Sequence, residues 1–161
     1  MKFATSYFYH VRFFKPYMIP FSTAVWDPKW FHDYKDDHHN FIDKNGVLNG
    51  LRVREFRPGK ECEDLCRGPE TCLTADPYKC LFLKMYRKQL ESIDTNKMLD
   101  YFSKVCYKAK QKMHFTEEPI AVLMVYEPVQ KPCSERIVIH DVLHEKGIDI
   151  QELKYPIPDN Y

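Results

Sequence analysis

The sequence predicts an α/β domain, a mostly parallel sheet in a three-layer-like arrangement with helices, carrying a cysteine-rich, metal-stapled insertion. Three observations predict it: the unbroken apolar run IAVLMV at 120–125, the strand–helix–strand pattern that follows it, and four crowded cysteines ahead of an amphipathic helix. An apolar run of six suits a strand covered on both faces, the usual state of parallel sheets. A strand, helix and strand in succession need parallel pairing with a right-handed crossover.

Taken in order, residues 2–6 and 19–25 are short, apolar or β-branched and bounded by polar or proline-containing stretches, so both read as strands. Between Trp26 and Pro77 the pattern dissolves into aromatics, charges, prolines and two Asn-Gly pairs, a long excursion with little regular structure. From Pro77 the period changes. Tyr78, Leu81, Phe82, Met85, Tyr86, Leu90 and Ile93 recur at three- and four-residue steps, as on one face of a helix. A second helix is expected after a cap at Asp94 or Thr95, with Met98, Phe102, Val105 and Ala109 inward. The strand at 120–125, an amphipathic helix over 134–145, a stop at Gly147 and a strand over 148–153 complete the chain.

At 161 residues the chain is the size of one ordinary domain, and residues 1–161 are read as one, with 57–80 the cysteine-rich insertion. Twenty-four basic residues against 23 acidic ones give a formal charge of +1, so no bulk field argues for nucleic acid or an anionic membrane. No segment approaches the roughly 20 apolar residues that span a bilayer, and MKFATSYFYHVRFF lacks the apolar stretch of a signal peptide. The protein reads as soluble and cytoplasmic, with no membrane partner. In that reducing compartment Cys62, Cys66, Cys72 and Cys80 are metal ligands before they are disulfides or free thiols. Four thiolates hold Zn²⁺ tetrahedrally or, alternatively, an iron–sulfur cluster.

Ligands of parallel sheets sit beyond the carboxyl ends of strands and at the amino ends of the following helices. Tyr126-Glu127 and Pro132-Cys133-Ser134-Glu135-Arg136 occupy that place. A thiol there has its pKa lowered, making Cys133 a candidate nucleophile or anchoring thiol. Arg136 is a candidate anion clamp, Glu127 a proton acceptor or sugar-hydroxyl ligand, and Ser134 a cap or ligand donor; Tyr126 completes the group. The plainer alternative makes Ser134 only a cap, pairs Arg136 with Glu127 or Glu135, and leaves Cys133 as a small loop residue.

The opening FATSYF, Trp26-Asp27-Pro28 after the second strand, the helix beginning at Tyr78, VYE at 125–127, CSER at 133–136 and GIDIQE at 147–152 together resemble the domain-of-unknown-function 488 family over nearly the whole chain. In that family a strand ending in Tyr-Glu or a similar pair leads to a Cys-His-Arg element at a helix start. The resemblance puts Glu127, Cys133 and Arg136 in the corresponding places, with Ser134 where the family has histidine and Glu135 inserted before the arginine.

Elsewhere, the arginines of 51–57 alternate as along a strand, placing Arg52 and Arg54 on one face with Arg57, Lys60 and Arg67 nearby in sequence, and offer contacts to phosphate; a solvated face balanced by glutamates is the alternative. His32, His38 and His39 among three aspartates lack a metal spacing, and His140 with His144 lacks the glutamate of a metalloprotease helix. Five glycines write neither a dinucleotide fingerprint nor a P-loop. The function these residues point to is an enzyme or enzyme-like protein acting on a phosphate-bearing ligand, a nucleotide or nucleic acid. The alternative is a non-catalytic nucleic-acid- or protein-binding module with a structural metal.

Overall fold

Two six-residue strands lie side by side at the centre of the molecule, with Lys2 opposite Ile120 and each successive pair in step to Tyr7 opposite Val125. The computed structural model describes residues 1–31, 41–65, 76–128 and 131–155. In chain order the strands are β1 (Lys2–Tyr7), β2 (Met18–Ser22), β3 (Phe41–Ile42), β4 (Leu48–Asn49), β5 (Leu51–Arg52), β6 (Ile120–Val125) and β7 (Ile150–Glu152). The helices are α1 (Lys60–Glu63), α2 (Leu81–Glu91), α3 (Thr95–Met113) and α4 (Glu135–Glu145). Five strands form a wholly parallel sheet in the order β5-β2-β6-β1-β7, and β3 and β4 pair as a small antiparallel ribbon. The mostly parallel α/β architecture expected from the sequence is the one observed.

Side chains alternate across each strand, so the sheet has two apolar faces. Phe3, Ile19, Phe21 and Leu123 join α2, α3 and α4 through Tyr86, Phe102 and Ile139. Phe102 sits at the hub, its ring edge-on to Phe21 at 4.9 Å and Phe3 at 5.2 Å. Each such buried aromatic contributes on the order of 1.5–3 kcal/mol. The other face, Ala4, Val122 and Met124, is covered by Phe8, Val11, Phe14 and Phe31 from irregular segments.

The sequence signals place most element ends. Asp94 caps α3, accepting from the Lys97 N–H at 3.0 Å, and Ser134 caps α4. Gly147 ends α4's last turn with φ of +78°, a conformation that favours glycine. Three readings differ. β6 and β7 do not pair with each other: β1 lies between them and hydrogen-bonds to both, because the central strand offers two free edges. α2 begins at Leu81, not Tyr78, and both Tyr78 and Leu81 face solvent. The arginine segment is a strand only to Arg52; a 3-10 turn over Arg54–Phe56 buries Phe56 and takes Arg54 off the strand face it was expected to share.

One side chain makes three hydrogen bonds to that irregular segment. The Gln89 amide of α2 donates to the Glu55 and Arg57 carbonyls at 2.9 and 2.7 Å and accepts from the Gly59 N–H at 2.9 Å.

Candidate functional site

From β1 the chain passes into a 3-10 turn, Phe8–Phe13, that packs on one face of the sheet. From the adjacent β6 it passes to α4, which packs on the opposite face. Two neighbouring parallel strands whose connections leave to opposite faces define a switch point, where α/β sheets leave a crevice beyond the strand ends. Here the corresponding place lies beyond Tyr7-Phe8 and Val125-Tyr126-Glu127.

Its α4 side is acidic. Glu127 stands at the end of β6 and Glu135 in the first turn of α4, and the two carboxyls are hydrogen-bonded. Enclosure of the Glu135 carboxyl, then the charge of Glu127 and the bond to it, push the Glu135 pKa well above the usual carboxylate range. In that bond the raised group, Glu135, donates and Glu127 accepts. Ser134, buried, donates through Oγ to Glu127 Oε2 at 3.4 Å and accepts from the Arg136 N–H. Tyr86 lies beneath: its hydroxyl donates to the Phe56 carbonyl, and burial and then the charge of Glu135 raise its pKa.

The other side is aromatic. Phe8, itself buried, meets Tyr126 and Trp30 edge-on, both at 6.2 Å between ring centres. Tyr126 is 60% exposed and Trp30 49%.

Arg136 points towards β7. Its Nη1 lies 3.2 Å from Glu152 Oε1, another guanidinium nitrogen donates to the Lys131 carbonyl at 3.3 Å, and the side chain is only 12% exposed. It lines a cleft of about 220 Å³ with Thr5, Ile137, His140, Asp141 and Glu152. Cys133 is not among those lining residues; half-buried, it packs against the core on the helical face. The structure thus brings Glu127 and Ser134 together and sends Arg136 and Tyr126 to different flanks. Arg52 lies farther off, at the end of the edge strand β5, where Asp27 accepts from its Nε at 2.6 Å. Arg54 and Arg57 are exposed on the turn beyond.

Of the four cysteines, Cys66 and Cys72 fall outside the described residues, as do His32, His38 and His39. Cys62 and Cys80 are buried thiols; burial raises the Cys62 pKa, and its Sγ lies 3.9 Å from Gln89 Oε1. Among the described residues no group of three or more potential metal ligands converges. No described helix is long and apolar enough to cross a membrane.

Several polar groups escape sequence reading. Glu135 reads as an interruption of a motif, although an acid in a helix's first turn just after an acid at a strand end is a legible signal. Asp27, 2% exposed at its side chain, accepts from Ser22 and Arg52 and locks the end of β2. His10 is fully buried, its Nδ1 2.9 Å from Ser6 Oγ and its ring edge-on to Tyr7 and Tyr155. Burial lowers its pKa to about 4. Nothing in the spacing of Ser6 and His10 distinguishes them from surface residues.

Comparison with known proteins finds no matching family model, no matching curated protein and no matching solved structure.

Proposed function

We propose that the protein is a small α/β enzyme or enzyme-like protein that takes a phosphate-bearing ligand of nucleotide type at the β1/β6 switch point. The observation that carries this reading is the grouping beyond the ends of β1 and β6, with the hydrogen-bonded carboxyls of Glu127 and Glu135 on one side and the exposed rings of Tyr126 and Trp30 on the other. In this reading Glu135 gives and takes a proton beside Glu127, since burial lifts its carboxyl above the usual carboxylate range. Cys133, at the mouth of α4, is the nucleophile or an anchoring thiol. Arg136 is a guanidinium held in place by Glu152, and a ligand phosphate reaches it by displacing that carboxylate. Glu135, next to Ser134, supplies a titrating carboxyl that the serine lacks. The four-cysteine zinc site is retained as a structural proposal separate from this chemistry.

The test is turnover of a panel of nucleoside mono-, di- and triphosphates, cyclic nucleotides and short oligonucleotides by wild type, Cys133→Ala, Glu127→Gln and Glu135→Gln. Loss of at least about a hundredfold in the variants, with folding retained, is the expected result for groups that act in proton transfer or covalent catalysis. Full turnover by all three variants overturns the site. No turnover by wild type on any member leaves a binding module instead.

A further inference from the structure

Resting on that reading, we infer that this strand-end site recognises the nucleoside end of its ligand, stacking the base on the exposed rings of Tyr126 and Trp30 and receiving the ribose hydroxyls at Glu127. Tyr126 and Trp30 both pack against the buried Phe8, at interplanar angles of 63° and 81°, and Trp30 also packs against Phe31 at 81°. Among the described residues neither ring is stacked face to face on another. Two large aromatic rings, 60% and 49% exposed and both held by Phe8, offer apolar surface on which a planar base stacks.

The next residue after Tyr126 is Glu127, whose carboxylate accepts from Ser134 and from Glu135 and keeps further acceptor sites. An acidic side chain beyond a strand end is the group that takes ribose hydroxyls in nucleotide-binding α/β proteins. The same charge selects against a polymer. A nucleic-acid strand lying across these rings brings successive phosphates past Glu127, whereas a single nucleotide turns its one phosphate group away. The inference is therefore of a mononucleotide.

The experiment is titration of the full chain with adenosine 5′-monophosphate, read by tryptophan emission and by calorimetry. Saturable quenching is expected, with 2′-deoxyadenosine monophosphate binding more weakly and Tyr126→Ala weakening the ribonucleotide about tenfold or more, while Tyr126→Phe binds like wild type. In Glu127→Gln the preference for the ribonucleotide shrinks. If ribose 5-phosphate binds as well as the nucleotide, and Tyr126→Ala changes nothing, base stacking is refuted while a phosphate ligand at the switch point stands. If an oligonucleotide binds and the mononucleotide does not, the mononucleotide inference falls. Absence of binding by every probe overturns this inference and the nucleotide reading together.

Discussion

Arg136 is paired with Glu152 across the gap between α4 and β7, its Nη1 3.2 Å from Glu152 Oε1 in a cleft that also holds Asp141 and His140. An arginine expected from the sequence to meet an anion from outside already meets one from inside. The pair is shielded, with 12% and 26% of the two side chains exposed, so its partners depend on each other.

Arg136→Met is therefore expected to cost about 1–3 kcal/mol by leaving Glu152 without its counter-charge, and Arg136→Met with Glu152→Gln to recover part of that loss. Urea denaturation of the two single variants and the double variant measures it; strictly additive losses would remove the coupling.

Glu135 gives stability a slope on the alkaline side. Its pKa is higher folded than unfolded, so the folded state holds the proton more tightly. The benefit is complete below the ordinary carboxylate range and is lost as pH rises through the folded value. For one proton the slope reaches at most about 1.4 kcal/mol per pH unit. Glu135→Gln keeps a donor towards Glu127 and is expected to flatten this limb in denaturation curves taken from pH 5 to 9.

His10 acts in the opposite sense. Its pKa falls from 6.5 to about 4 on burial, so the unfolded chain binds the proton first. Stability present above pH 6.5 is lost as pH falls towards 4, by about 3 kcal/mol in all. His10→Gln is expected to be less stable than wild type at pH 7 and to lose less between pH 6.5 and 4. An unchanged acid limb in that variant would show that another group sets it.

For the cysteines, elemental analysis of protein purified without added metal is expected to find about one zinc per chain, and a strong chelator to lower Tm. Iron with visible colour points to a cluster instead. Neither metal, with Tm indifferent to chelator, disposes of the knot.

The fold was legible where periodicity is strong. The run at 120–125 became β6 with the expected bounds, and Asp94, Ser134 and Gly147 mark helix ends because capping chemistry is local. What sequence could not supply was neighbourhood. Nothing in residues 120–153 says that β1 will come between β6 and β7, since any strand apolar on both faces can take the central place. The site shows the same division. Glu127 and Ser134 were found from their position at a strand end and a helix start. The partnership of Arg136 with Glu152 depends on the β1–β7 pairing, which no short motif encodes.

Gln89 bears on the cysteine question from another direction. Because one amide grips the chain at 55, 57 and 59, the approach to Cys62 is moored to α2 by bonds that need no cysteine. A thiol-replaced chain accordingly keeps its hinge to that helix, and whatever sulfur ligation adds begins only downstream of that mooring.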